Sequence, residues 1–222
     1  MRVFVELFSG TAKMAEAFRN LGWTTYTFDN DPIHEPDFCM DILDVTPAMI
    51  RDLKPDVIWA GVDCSCFSPL TLGVYWNPDK TPNERNYGID LLRHTVQLIE
   101  AGSPTFWAIE NPVGMMRHQI EVKAWARYTI WQCQYGLDFA KPTDLFGYLP
   151  PSFYPKMCKR KGVGNDPNCH HVAAPAGANT GIQGNPDLTK IERAAYPIEL
   201  CRQISRHCHQ SILDNRTKGW FS

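Results

Sequence analysis

The chain has 222 residues, an ordinary length for one globular domain with at most a small appended lobe, which excludes a large multidomain assembly. Hydrophobic residues make up 44% of the sequence and charged residues 21%, a composition typical of folded proteins and unlike that of disordered or fibrous chains. The net charge of -2 conceals an asymmetry, because residues 1–140 hold 11 Lys and Arg against 18 Asp and Glu, whereas residues 141–222 hold 11 against 6. We therefore expect any polyanionic partner on the C-terminal third, although an unevenly charged solvated surface explains the asymmetry equally well.

Several classes of protein are disfavoured by the sequence. No apolar run approaches the roughly 20 residues of a membrane helix, and the N-terminus is charged too early for a secretory signal. We therefore expect a cytoplasmic protein that makes no use of a membrane. In that compartment the eight cysteines are predicted to be reduced thiols, metal ligands or a nucleophile, not a disulfide framework.

Short apolar strands alternate with helical patterns over the first 140 residues, which predicts βαβ units and a mostly parallel sheet. The predicted strands are Val3–Phe8, Thr24–Phe28, Asp56–Gly61, Thr105–Ile109 and Ile130–Tyr135. Helices are predicted over Ala12–Asn20, Pro47–Leu53, Asn83–Gly102, Met115–Tyr128 and Ile191–Leu213, the last with a break at Pro197.

The hydrophobic pattern stops after the predicted sheet. Residues 148–187 are dense in Pro, Gly, Asn, Cys and His, which predicts a small irregular lobe. The expected organisation is a main domain over residues 1–147, this lobe over 148–187, and a helical segment over 188–222 that packs back on the main domain.

Three segments carry candidate chemistry. The first is the turn from Glu6 to Ala12, where Gly10 allows close backbone approach and a helix start favours an anionic group. Its single glycine does not make a dinucleotide fingerprint, so a tight turn without a ligand is the simpler interpretation.

The second segment, residues 61–69, places Cys64 and Cys66 at the carboxyl end of a strand, where open α/β sheets bind ligands. A cysteine there is a candidate nucleophile, with an inert thiol as the alternative, and the C-x-C spacing is tighter than zinc sites prefer. The third segment, residues 106–112, places Glu110 at the end of an apolar strand. In such surroundings the pKa of a carboxyl group is raised, so Glu110 is a candidate acid or hydrogen-bond donor; the alternative is an ordinary carboxylate in an exposed loop.

In this order and at these intervals, the three segments resemble the cytosine carbon-5 methyltransferase family. Leu7-Phe8-Ser9-Gly10 is similar to the family's Phe-x-Gly cofactor loop, Cys64 with Phe67-Ser68 to its Pro-Cys-Gln-x-Phe-Ser loop, and Glu110-Asn111 to its Glu-Asn-Val element. The resemblance covers residues 1–147 well and 190–205 loosely. It implies a Rossmann-like fold that binds S-adenosylmethionine, with Cys64 adding to carbon-6 of a flipped cytosine and Glu110 gripping the base.

The resemblance also implies a cofactor site. The ribose is expected on Asp29, the adenine near Asn30, Asp41 and Ile42, and the methionine end on the first turn. With Asp63 beside the nucleophile, the complete predicted set is Phe8, Ser9, Gly10, Thr11, Asp29, Asn30, Asp41, Ile42 and Asp63.

Nucleic-acid contacts are expected in two places. Residues 69–88 match the family's mobile loop, so Ser68, Tyr75 and Trp76 are predicted contacts, with aromatic packing on the body as the alternative for the last two. The lobe contributes Lys156, Lys159, Arg160 and Lys161, which suit phosphate groups.

The lobe also carries Cys158, Cys169 and His171, a possible zinc site, although the spacing is irregular and unliganded thiols are the default.

The sequence departs from the family pattern at several positions. Asp63 replaces a proline and places a negative charge beside the thiol, Ser65 replaces a glutamine, and Lys141 stands where an arginine supports the active site. Family members carry a separate target-recognition domain, whereas only residues 148–187 are available here. We therefore expect a compact reader of a short sequence, or one that takes specificity from a protein partner.

The leading interpretation is a monomeric DNA cytosine-5 methyltransferase acting on double-stranded DNA in a bacterial or phage-infected cell. Its role is left open among host modification, defence evasion and a step toward a hypermodified base. The alternatives are an RNA cytosine-5 methyltransferase and a catalytically silent binding protein that keeps the cofactor fold.

Overall fold

The computed structural model describes residues 1–138, 140–158 and 194–218. Seven strands form one mixed sheet: β1 (Val3–Leu7), β2 (Thr24–Asp29), β3 (Phe38–Cys39), β4 (Val57–Gly61), β5 (Phe106–Pro112), β6 (Arg127–Trp131) and β7 (Pro142–Tyr148). Their spatial order is β3-β2-β1-β4-β5-β7-β6, and only β7 runs antiparallel to its neighbours. The predicted α/β fold with a mostly parallel sheet is confirmed.

The helices cover both faces of the sheet. They are α1 (Lys13–Arg19), α2 (Pro47–Leu53), α3 (Gly88–Gly102), α4 (Ile120–Lys123) and α5 (Ile198–Lys218). Because side chains alternate along a strand, Val3, Val5 and Leu7 of β1 pack toward α2 and α3, while Phe4 packs toward α1 and α5. The result is a three-layer α/β/α arrangement with a hydrophobic core on each side of the sheet.

Local sequence signals set several helix ends, although α3 begins at Gly88 and not at the predicted Asn83, and α5 continues past the predicted Leu213 to Lys218. The side chain of Thr46 accepts a hydrogen bond from the Met49 amide at 3.2 Å, and Pro47 occupies the first turn of α2. Ser103 ends α3 in a left-handed conformation at φ 45°. The first turn of α5 begins directly after Pro197, whose carbonyl accepts from Cys201 N at 3.2 Å.

The predicted helix over Met115–Tyr128 is wrong. A 3-10 turn at Met115–His118 is followed by the single turn of α4, and β6 already begins at Arg127. The Gln119 side-chain amide donates to the Met115 carbonyl at 2.9 Å, while the Gln119 backbone amide bonds to Met116 at 3.0 Å. In a continuous helix the Met115 carbonyl would accept from the Gln119 backbone amide, but here it accepts from the Gln119 side chain.

The last two strands also differ from prediction. The pattern over Ile130–Tyr135 indicates one strand, but β6 ends at Trp131 and residues 132–135 form a 3-10 turn. Strand β7 was not predicted, because Pro142, Asp144 and Gly147 disfavour strands locally. Pairing with both β5 and β6 determines its conformation.

The predicted lobe of residues 148–187 is described only as far as Cys158, so the domain boundaries remain predictions. No helix in the described ranges is long and apolar enough to cross a membrane.

Candidate active site

The turn between β1 and α1 has an unusual backbone. Phe8, Gly10 and Ala12 all adopt left-handed conformations, with φ of 57°, 47° and 51°. The Gly10 amide donates to Asp29 Oδ2 at 2.8 Å, and the Ser9 amide donates to the Phe28 carbonyl at 3.0 Å. The end of β2 therefore holds this turn open at the carboxyl edge of the sheet.

Asp29 and Asp41 shape the neighbouring wall. The second carboxylate oxygen of Asp29 accepts from the Asp31 amide at 2.9 Å, and Asp41 accepts from the Leu43 amide at 2.9 Å. Ile42, the residue after Asp41, is buried in the core on the side of the sheet that α2 and α3 cover. These contacts keep two carboxylates and an apolar side chain on one side of a cleft.

A cavity of about 510 Å³ lies along this edge, within the 300–1,000 Å³ typical of small-molecule sites. Six residues predicted for the cofactor line it: Phe8, Asp29, Asn30, Asp41, Ile42 and Asp63. Sequence reasoning missed six others, which come from β2, the β3 region and the start of α3: Phe28, Met40, Leu43, Tyr87, Asp90 and Leu91.

A second cavity, of about 160 Å³, adjoins the first because both are lined by Phe8 and Asp63. The remaining predicted cofactor residues, Ser9, Gly10 and Thr11, line this second cavity. The side-chain oxygen of Ser9 is buried and has no hydrogen-bond partner among the described residues. An unpartnered buried hydroxyl is available to a ligand.

The three predicted catalytic residues, Cys64, Glu110 and Lys141, line the same small cavity. Glu110 is at the end of β5 and pairs in register with Gly61 at the end of β4, three residues before Cys64. Lys141 immediately precedes β7 and is buried. Three separate segments thus bring a thiol, a carboxyl and an ammonium group together.

Glu110 is 5% exposed, so its carboxyl group is largely removed from water. Burial raises the pKa of this carboxyl, while the positive charge of Lys141 and the hydrogen bond from Tyr196 oppose the rise. Its Oε2 accepts a hydrogen bond from the Tyr196 hydroxyl at 3.3 Å, whereas Oε1 has no partner among the described residues. One carboxyl oxygen is therefore held and the other is available.

The Cys64 thiol lies at the mouth of the cavity, and its pKa is raised. Desolvation is the main cause, followed by the negative charges of Glu110 and Asp63, and Lys141 opposes them. Asp63 is fixed as an acceptor, because Oδ1 takes the Ser65 amide at 2.9 Å and Oδ2 takes the Tyr87 hydroxyl at 2.9 Å. The charge expected to oppose thiolate formation is thus held beside the nucleophile.

The segment after the nucleophile holds the three predicted nucleic-acid contacts from residues 68–76. Trp76 is 1% exposed and donates its indole N–H to the Cys66 carbonyl at 2.7 Å, which is the aromatic packing given above as the alternative. Tyr75 is half-buried and packs edge-on against Tyr87, with ring centroids 5.9 Å apart. Ser68 accepts from the Leu70 amide at 3.2 Å and caps a short 3-10 turn.

Among the predicted phosphate contacts, only Lys156 is described. It is exposed, and its ammonium group lies 5.1 Å from the centre of the Tyr135 ring. Lys159, Arg160 and Lys161 lie outside the described residues.

Zinc is not supported by the described part of the chain, where no three His, Cys, Asp or Glu side chains converge. Cys158 is buried and packs beside Cys133 and Trp131. The other two predicted ligands, Cys169 and His171, lie outside the described ranges.

Two sequence comparisons find no relatives: no protein-family model and no curated protein matches this chain. Solved structures do match. A prophage-encoded E. coli protein assigned as a DNA modification methyltransferase aligns with a TM-score of 0.50 and 18% identity, over 72% of this chain and 52% of its own length. The Entamoeba histolytica methyltransferase EhMeth aligns with a TM-score of 0.51 and 12% identity, over 72% of this chain and 57% of its own length.

This chain thus spans little more than half the length of these two structures. At such identities the likeness concerns the fold. Together with the sheet order, it shows that the protein has the Rossmann-like α/β fold of these methyltransferases.

Proposed function

We propose that this protein transfers a methyl group from S-adenosylmethionine to carbon-5 of cytosine in duplex DNA. The observation that carries the proposal is the convergence of Cys64, Glu110 and Lys141 on the small cavity. This cavity shares two lining residues with the larger cavity, whose volume suits the cofactor. A nucleophile and a base-recognising acid thus lie next to a place for the methyl donor.

The residues of the larger cavity fit the cofactor. Asp29 and Asp41 offer carboxylate oxygens to ribose hydroxyls and to the adenine amino group, and the buried Ser9 hydroxyl in the adjoining cavity has a free hydrogen-bonding position. S-Adenosylmethionine bound there would supply an electrophilic methyl group next to Cys64.

The chain's own residues carry the remaining steps. The Cys64 thiolate forms a bond to carbon-6 of cytosine, and the electron pair of the carbon-5–carbon-6 double bond makes carbon-5 nucleophilic toward the methyl group. Transfer of the methyl group to carbon-5 would leave S-adenosylhomocysteine, after which release of the carbon-5 proton to water and expulsion of the Cys64 thiolate restore the double bond. Lys141 favours the thiolate, because its positive charge lowers the pKa of Cys64.

Glu110 suits the recognition of cytosine. Ring nitrogen 3 of the base is an acceptor and the exocyclic amine is a donor, so a protonated carboxyl group offers the complementary donor and acceptor. Burial raises the pKa of Glu110 and so favours that form. Since the target carbon is inaccessible within a duplex stack, the base must be flipped into the cavity.

The test is transfer of labelled methyl from S-adenosylmethionine to duplex DNA, with RNA of the same sequence in parallel. We expect label at carbon-5 of DNA cytosine and a covalent complex with DNA containing 5-fluorocytosine. Cys64→Ala should abolish both, whereas Cys39→Ala, which removes an exposed thiol that lines neither cavity, should change neither. Label in RNA alone would assign the RNA substrate, and cofactor binding without any transfer would indicate a silent binding protein.

A further inference from the structure

Tyr196 reaches the small cavity from a distant part of the sequence. It lies two residues before α5, and its ring packs edge-on against Trp59 of β4, with centroids 5.6 Å apart and an interplanar angle of 84°. Its hydroxyl donates to Glu110 Oε2 at 3.3 Å, across 86 positions of sequence. The segment that returns the chain to the sheet thus contacts the carboxyl group that the proposed function assigns to the base.

The sheet makes room for this hydroxyl. Gly61, the register partner of Glu110, has no side chain, and a methyl group there would collide with the Tyr196 hydroxyl oxygen. The next atom of the ring, Cζ, would be 3.5 Å from such a methyl group, an ordinary van der Waals contact. The space next to Glu110 is therefore shaped for the hydroxyl group in particular.

Resting on the proposed function, we propose that Tyr196 is a positioning residue that orients the Glu110 carboxyl group and directs its proton to Oε1 rather than to Oε2, which makes the site selective for cytosine over uracil. The hydroxyl hydrogen bond occupies Oε2 as an acceptor. Oε1, which has no partner among the described residues, then carries the proton toward ring nitrogen 3.

The phenol is the donor in this hydrogen bond. Burial raises the pKa of Tyr196 well above its ordinary value, so the phenol keeps its proton and donates a hydrogen bond to Oε2, and this hydrogen bond opposes the burial-driven rise in the pKa of Glu110. In the described part of the chain, the other titratable groups near Glu110 are Lys141, Asp144 and Cys64. In uracil, nitrogen 3 carries a hydrogen, so two donors would face each other at Oε1.

Placement of the hydroxyl is tested without any substrate by a double-mutant cycle. Gly61→Ala should lower the midpoint of urea unfolding in the wild-type background and leave it unchanged in the Tyr196→Phe background, where the colliding oxygen is absent. An equal loss in both backgrounds would overturn the placement.

The role of the hydroxyl is tested by trapping on DNA that contains 5-fluorocytosine or 5-fluorouracil. Tyr196→Phe should fold and bind S-adenosylmethionine like the wild type, yet form the 5-fluorocytosine adduct about 10- to 100-fold more slowly, as expected for one hydrogen bond to an ionisable group. Its preference for cytosine over uracil should also narrow. Tyr148→Phe, which removes a hydroxyl from a 52% exposed side chain, is the matched control and should change neither quantity.

The two proposals fail in distinguishable ways. A wild-type rate and preference in Tyr196→Phe would overturn the positioning role alone. A wild-type protein that traps neither base, while binding the cofactor, would overturn the proposed function and the selectivity with it.

Discussion

Glu6 offers a direct test of the electrostatics beneath the site. This β1 residue is fully buried on the face covered by α1 and α5, its Oε2 accepts from the Ala15 amide at 2.7 Å, and its Oε1 has no partner among the described residues. Burial raises its pKa from 4.5 to about 8. At neutral pH the folded protein therefore holds a proton that the unfolded chain has released.

The sign of the pH dependence follows from this proton. Stability from Glu6 is fully present below pH 4.5 and is lost as the pH rises toward about 8, because only the unfolded chain then gains by ionising the group. At about 1.4 kcal/mol per pH unit, the loss between pH 5.5 and 7.5 is about 2–3 kcal/mol. Glu6→Gln imitates the neutral acid in shape and does not titrate, so it should remove this loss.

The assay is urea unfolding followed by tryptophan fluorescence at pH 5.5, 6.5 and 7.5. The unfolding free energy of Glu6→Gln minus that of the wild type should increase by about 2–3 kcal/mol from pH 5.5 to pH 7.5. The contributions of the other titrating groups cancel in this difference. Glu16→Gln, on the exposed side of α1, is the matched control and should run parallel to the wild type. Parallel curves for Glu6→Gln as well would refute the raised pKa.

Two further predictions concern charge. Arg117 forms a two-pronged ion pair with Asp144, whose side chain is 1% exposed, so Arg117→Ala should cost about 2–4 kcal/mol of unfolding free energy, less than a fully buried pair because the arginine is partly exposed. Arg93→Ala, which breaks a more exposed pair, should cost at most about 1 kcal/mol, and equal losses in urea unfolding would contradict this difference. Asp63→Asn should lower the pKa of Cys64, because it removes a negative charge beside the thiol. Alkylation of Cys64 by iodoacetamide at pH 7 should then be faster than in the wild type, and an unchanged rate would show that Asp63 does not influence the nucleophile.

An acidic side chain next to the nucleophile opposes thiolate formation in this site. Asp63 stands beside Cys64, and its carboxylate is tied to Tyr87 at the start of α3. The proposed reaction must therefore form a thiolate against this charge, with Lys141 as the opposing cation. We expect a nucleophile that gains reactivity as the pH rises.

The sequence by itself determined the parts of the fold that depend on local pattern. The apolar runs of β1 and β4 and the helical spacing of α3 predict elements close to those observed, because their side chains repeat with the period of the structure they form. The positions of Cys64 and Glu110 at the ends of neighbouring parallel strands are also predictable, since the carboxyl ends of such strands share one edge of the sheet.

Only the tertiary structure decided the rest. Strand β7, whose residues disfavour strands locally, exists because β5 and β6 both pair with it. Trp76 is buried in the hydrophobic core, where the Cys66 carbonyl accepts its indole N–H. The contact between Tyr196 and Glu110 joins residues 86 positions apart, and the free space above Gly61 is what admits it. Such features depend on burial and on hydrogen bonds between segments that are far apart in sequence, and the local pattern of residues does not determine which of these segments will be in contact.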